Sequence, residues 1–377
     1  MSPTVRGGRS VVAGGIWEGN WILRDAAKVP TNAPSHEAVM SGHGFYNRHS
    51  VLQAAAAAYG LETLRAAAGE VPLPETPQPL VAADFGCSQG QNSLQPMGDA
   101  VAAVRDRTDA AVTVVHTDLP SNDFSEVFEL LAHDARSYLR SHRDTYALAA
   151  GRSFYEEILP PGSVTLGWSS VTTHWLSTVP APVPGHLAAQ NSDDEGLRLL
   201  FAERAAADWQ GFLSARAAEL VPGGRLVMVE PCAHPDGHIG SEGLQQLMDQ
   251  VLGEFVGSGR ITSESAAAAT LPMWMRTPDE YLDPVEAHPD LEVRSSQVIE
   301  GLKSPLWAQF ETGGDGAAYA AASIGAMRAW SEAMIAEAIP EPATLDAYYE
   351  RCRVLGAEDP DRLHLEVFHI VMDIARI

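Results

Sequence analysis

The run Pro79-Leu80-Val81-Ala82-Ala83-Asp84-Phe85-Gly86-Cys87-Ser88-Gln89-Gly90-Gln91-Asn92-Ser93 narrows the folds open to this chain more than any other stretch. Its first half is a short continuous apolar run, the pattern of a strand buried on both faces in a parallel sheet. It breaks at Asp-Phe-Gly-x-x-x-Gly and continues into helix-compatible residues. Glycine tolerates positive φ and lets a ligand approach the main chain closely, so Gly86 and Gly90 mark a ligand-contacting turn. A dinucleotide loop would read G-x-G-x-x-G and turn a helix N-terminus to the pyrophosphate. The spacing here differs. Two glycines four apart behind an acid suit a nucleoside cofactor with no pyrophosphate, S-adenosylmethionine (SAM), with Asp84 near its amine. A plain strand–turn–helix corner would leave the same trace.

Further strands follow at βα spacing. Ala111–Leu119 is apolar and carries Asp118, an acid at the end of strand two, where nucleotide-binding α/β folds bond ribose hydroxyls. Val164–Ser170 reads as a third strand and leads into His174 and Trp175. Ligands in open α/β sheets bind beyond the carboxyl ends of strands, so this pair is a site candidate, although core packing of two aromatics explains it equally well. Leu197–Leu220 has helical apolar spacing, Pro222-Gly223-Gly224 stops it, and Arg225–Glu230 is the next strand. Strands alternating with helices predict a mostly parallel sheet. After residue 230 the pattern changes. Gly243–Phe255 and Ala317–Ile339 read as amphipathic helices, and Leu365–Ile374 suits a closing strand. Helices inserted between late strands predict a cap, placed within 180–200, 233–290 and 315–350. Residues 1–39, with Trp17 and Trp21 among glycines and prolines, read as an arm with a lid as its sharper function; 40–377 form the main domain.

Charge removes several function classes. The formal net charge of -24 argues against binding a nucleic acid backbone or an anionic membrane surface. Cys87, Cys232 and Cys352 are odd in number and far apart, which fits free thiols in the cytoplasm and neither a disulfide framework nor a zinc cage. No stretch reaches the length of a membrane-spanning helix, and no signal-peptide core is present. Alanine and arginine abound while lysine is scarce, as in GC-rich, bacterial genomes.

Six short pieces then fall in one order: Tyr46-x-x-x-Ser50-x-x-Gln53, Asp84-Phe85-Gly86-Cys87-Ser88-x-Gly90-x-Asn92, Asp118-Leu119-Pro120-x-Asn122-Asp123-Phe124, Ser153-Phe154-Tyr155, Ser169-Ser170, and His174-Trp175-Leu176-Ser177-x-Val179-Pro180. In these the chain resembles the SABATH methyltransferases, named for enzymes acting on salicylic acid, benzoic acid and theobromine. The likeness covers most of 40–230 and thins out afterwards. It implies a Rossmann-like SAM-dependent core of α/β class with an α-helical cap, a homodimer, and a place in secondary metabolism. It implies methyl transfer from SAM, giving S-adenosylhomocysteine (SAH), to the carboxylate of a small aromatic or otherwise apolar acid. In one branch of the family the acceptor is a ring nitrogen of a heteroaromatic.

By the same resemblance Tyr46, Ser50, Asp84, Asn92, Asp118, Leu119, Ser153 and Phe154 hold SAM. Gln53 and Trp175 orient the substrate carboxylate, and His174 lines the pocket. The chain also departs from the family. Phe45, Asn47 and His49 replace its usual Ser, Ala and Asn; Val171 replaces a Tyr after Ser-Ser; and Ala269-Thr270-Leu271 replaces a Phe-Asn pair associated with metal, so no metal is expected. Val171, Met273 and Trp274 therefore describe an altered acceptor pocket. A nicotinamide oxidoreductase or a non-catalytic nucleotide-binding module is the competing class; the missing G-x-G-x-x-G opposes the first, and Gln53 and Trp175 beside the SAM motif oppose the second.

Overall fold

A computed structural model describes residues 40, 44–75, 78–301 and 304–377, within a compact unit running from Ser35 to Ile377. The arm with Trp17 and Trp21 lies outside the described residues. Seven strands form one sheet: β1 Leu80–Phe85, β2 Val112–Asp118, β3 Thr145–Gly151, β4 Val164–Ser170, β5 Leu220–Cys232, β6 Leu291–Ile299 and β7 Phe368–Arg376, in the order β3-β2-β1-β4-β5-β7-β6. The first five are parallel; β7 runs antiparallel to β5 and to β6. The sheet is thus α/β and mostly parallel, as the alternation of apolar runs and helical stretches predicts. The chain builds outward from β1 to β3, then returns to lay β4 on the other side of β1. That reversal opens a crevice at the carboxyl ends of β1 and β4, where doubly wound sheets bind ligands.

Both faces of the sheet are covered. Helices Leu61–Glu70 and Leu94–Arg105 bury Leu64, Met97 and Val101 against β1 and β2 on one face. On the other, Glu195–Glu219 and Pro278–Glu286 bury Trp209, Phe212 and Tyr281. Two-sided burial explains why β1, β2 and β4 read as continuous apolar runs. β3 and β6 escape such a reading because they are edges: Tyr146 and Leu148 of β3 are 55% and 53% exposed, and β6 alternates charged residues outward. The closing strand lies at Phe368–Arg376, shifted a few residues from Leu365–Ile374.

The cap has a core of its own. Helices Glu242–Gly257, Gly316–Ala338 and Pro342–Glu358 bury Leu247, Val251, Met327, Ile335 and Tyr348 in one cluster apart from the sheet. Trp175 and Met273, joined by an isolated antiparallel bridge, pack on its edge and tie the strand-end crevice to the cap. Among the described residues no helix is long and apolar enough to cross a membrane.

Candidate active site

Two chambers open beyond the carboxyl ends of β1 and β4. The first is a cleft of about 240 Å³ whose lining includes Tyr46, Gly86, Ser88, Asp118, Leu119, Ser153 and Phe154. Gly86 has φ +93°, and a Cβ there would stand 2.2 Å from Thr172 Cγ2, so only glycine lets the β1 turn pack this closely on the turn after β4. Asp118 ends β2 with its carboxylate fixed by two main-chain donors, Ser88 N–H at 2.7 Å and Leu119 N–H at 2.8 Å. Each oxygen keeps a lone pair free for a ligand hydroxyl. Burial pushes the Asp118 carboxyl up to about 6, against the pull of those two N–H groups. The hydroxyls of Ser88 and Ser170, both on the lining, are buried without a protein partner. A buried polar group left unpaired is costly, so these orphaned hydroxyls and the fixed Asp118 carboxylate fit the polar nucleoside and amino-acid parts of SAM.

Ser50, Asp84, Gly90 and Asn92 do not line this cleft. Asp84 is 3% exposed, accepts a hydrogen bond from the Ser93 hydroxyl, and lies 3.7 Å from His116 Nδ1. Gly90, with φ +88°, turns the loop into its helix. Ser50 donates to Asn92 Oδ1 at 3.5 Å, while Asn47 bonds Gln89 O and Gln91 N. This group stitches the entrance helix to the β1 turn.

The second chamber lies under the cap. Its lining includes Gln53, Val171, His174, Trp175, Met273 and His369, and its volume is about 170 Å³. None of the described residues lining it is Arg, Lys, Asp or Glu. Gln53 Oε1 is buried without a partner, and the same amide carries an NH2 donor. Burial, aided by the Arg276 guanidinium and by the neighbouring His369, pushes the His174 imidazole down to about 3. Trp274 faces the other way, packing beside Leu176 and Phe201, because Met273 and Trp274 alternate sides along the extended segment.

Tyr46, Val171 and Trp175 line both chambers, so the two meet at these residues. The turn that carries Val171 and Trp175 is heavily tied down. Val171 has φ 56°, a strained value for a β-branched residue. Glu230, on β5, accepts from Thr172 N–H, Thr172 Oγ1 and Thr173 N–H, each at 3.0 Å. Burial nonetheless raises its carboxyl to about 7, against these hydrogen bonds. Arg276 donates to Thr173 O at 2.5 Å, Tyr155 OH donates to Thr173 O at 3.1 Å and also to Trp175 O, and Asp208 accepts from Ser177 N–H at 2.8 Å. A second buried pair serves the cleft: Arg216 donates to Phe154 O at 2.7 Å and to Glu219 Oε2 at 2.9 Å, and Glu219 Oε1 accepts from Leu159 N–H at 2.9 Å. Tyr155 belongs to one of the six pieces read in the sequence; the other positioning residues are not recognisable there. The one trace is an Arg-x-x-Glu spacing inside a helix, which usually marks a solvated face.

Comparison with known proteins adds the family. A family model described as SAM dependent carboxyl methyltransferase matches residues 36–376. Loganic acid O-methyltransferase of Catharanthus roseus is 29% identical over 52% of this chain and 56% of its own length. Gibberellic acid methyltransferase 2 of Arabidopsis thaliana is 23% identical over 79% and 83%. The first curated relatives are matched over 50% to 64% of their length. A solved structure, loganic acid methyltransferase with SAH, superposes with a TM-score of 0.76 at 22% identity, covering 89% of this chain and 98% of that one. The fold is therefore shared over nearly the whole of both.

Proposed function

The chain belongs to the SAM dependent carboxyl methyltransferase family, and from that premise we propose that it methylates the carboxylate of a small, largely apolar acid to give a methyl ester. The observation that carries this reading is the meeting of a polar cofactor cleft with an acceptor chamber that has no charged lining among the described residues. SAM, when bound, supplies an electrophilic methyl group on a sulfonium. Tyr46, Asp118, Leu119, Ser153 and Phe154, on the cleft lining, are the residues to hold it.

The chemistry suits the chamber. A carboxylic acid has a pKa of about 4 and is already a nucleophile at neutral pH, so no general base is needed. Fixing the oxygen in line with the methyl supplies most of the rate, since orientation is worth roughly 7–11 kcal/mol. The Gln53 amide N–H and the Trp175 indole N–H, both from residues on the chamber lining, are uncharged donors that can steer one carboxylate oxygen. Uncharged donors are appropriate because the carboxylate loses charge in the transition state, and a cation would hold the ground state too well. Methylation of a ring N–H would need a base. His174 is held near 3 and His369 near 4, which makes both weak bases and favours the acid.

Incubation with methyl-labelled SAM and a panel of carboxylic acids and xanthines, with mass detection, tests the reading. The expected product is an ester, cleaved by mild alkali. An alkali-stable N-methyl product would replace it with the heteroaromatic reading. A homodimer and a cytoplasmic site complete the proposal. The three buried free thiols are consistent with a reducing compartment, and light scattering of the purified protein tests the dimer.

A further inference from the structure

His369 lies on β7, where Pro231 of β5 and Ile299 of β6 flank it, so its backbone is fixed on both sides. Its ring lines the acceptor chamber next to Tyr59, with ring centroids 5.8 Å apart. Its Nδ1 is buried and has no partner of hydrogen-bonding geometry. Burial lowers the imidazole to about 4, against a smaller upward pull from the Val367 carbonyl. The ring is therefore neutral at physiological pH, and the carbonyl draws its single proton toward itself. The other nitrogen, to which no described residue is bonded, is left as the acceptor of a ring that lines the chamber. A neutral imidazole fixed on a strand, lining a mostly apolar chamber and with one nitrogen not bonded by any described residue, is a preset acceptor that a ligand donor can complete.

We propose that His369 selects the acceptor, its imidazole accepting a hydrogen bond from a hydroxyl or N–H group that the acid carries besides its carboxylate. The inference rests on the carboxyl-methylation reading and narrows its substrate class: the acid is bifunctional, with a donor set away from the carboxylate that Gln53 and Trp175 receive. A site built to pair a donor rejects the analogue without one far better than an apolar pocket rejects a methylene, because the analogue leaves the imidazole desolvated and unpaired.

The test uses matched acids that differ only in the donor: 4-hydroxyphenylacetate against phenylacetate, and indole-3-acetate against indene-3-acetate. The wild-type chain should prefer the donor-bearing member of at least one pair by roughly 10- to 100-fold in kcat/KM. In His369→Phe the preference should collapse to within about threefold, and His369→Gln, which keeps an acceptor oxygen, should retain part of it. Calorimetric titration with SAH shows that each variant is folded. Equal kcat/KM within both pairs for the wild type, or an unchanged preference in His369→Phe, would overturn the proposal while leaving carboxyl methylation intact. Absence of ester from every acid, with or without a donor, would remove the carboxyl reading itself and this proposal with it.

Discussion

The cofactor cleft and the acceptor chamber share three wall residues and are otherwise built by different means. The cleft is made at strand ends: Gly86 after β1, Asp118 at the end of β2, Ser153 and Phe154 after β3. Its acid, Asp118, is held by main-chain donors at two adjacent strand ends, Ser88 N–H after β1 and Leu119 N–H after β2. The chamber draws Gln53 from an entrance helix, His174 and Trp175 from the β4 turn, Met273 from an extended cap segment and His369 from β7. Its polar groups Gln53 Oε1, His174 Nδ1 and His369 Nδ1 have no protein partner. On the proposed function the cofactor is met at neighbouring strand ends, and the acceptor by side chains assembled from the whole fold.

The comparison predicts that damage to one chamber spares the other. The largest effect is expected from Trp175→Phe, which keeps the apolar wall and removes the indole N–H. Turnover on acids should fall roughly 100-fold, by analogy with loss of one preorganised donor, while SAH affinity stays within about twofold. Gln53→Ala should act in the same direction, and the double variant less than additively if both hold one carboxylate. Wild-type rates in both single variants would break the division of labour.

Asp118→Ala tests the converse. SAM affinity should weaken roughly tenfold or more, as a charge-assisted hydrogen bond implies, and unchanged affinity would refute the assignment. The same residue predicts a pH dependence. Ribose hydroxyls donate to the ionised carboxylate, so binding lowers its pKa from about 6. Affinity is then full above that value and lost as pH falls through it, by roughly tenfold at pH 5. Asp118→Asn should bind weakly and show a flat profile between pH 5 and 8.

A smaller effect probes the shared wall. Glu230→Gln removes a carboxylate that accepts from Thr172 and Thr173, so the turn beneath Trp175 should loosen. We expect kcat to drop several-fold with the KM for SAM unchanged; lowered melting temperature with intact kcat would reduce Glu230 to a stabilising role. The smallest effect concerns metal. Among the described residues no three His, Cys, Asp or Glu side chains gather as a metal site, and activity should survive exhaustive EDTA treatment. Loss restored by magnesium would overturn that expectation.

What the sequence determined by itself is the sheet centre and which residues stand at the ends of its central strands. β1, β2 and β4 are buried on both faces, so their apolar runs are continuous, and the residues that close them follow within a few positions. Local order along the chain is enough to place such groups. The edge strands β3 and β6 were not legible, because exposure removes the apolar signal. Which side of the extended segment 271–275 faces the chamber was not legible either. Met273 enters and Trp274 turns away because a single residue reverses direction, and only the bridge to Trp175 sets the register. Glu230, Arg216, Arg276 and His369 act across long sequence separations, and their types and spacing suggest surface charge or core. Tertiary structure alone brings a buried carboxylate under a strained turn, or a neutral imidazole to an apolar wall, since burial and the unmet hydrogen bonds that give these groups meaning do not exist until the cap closes on the sheet.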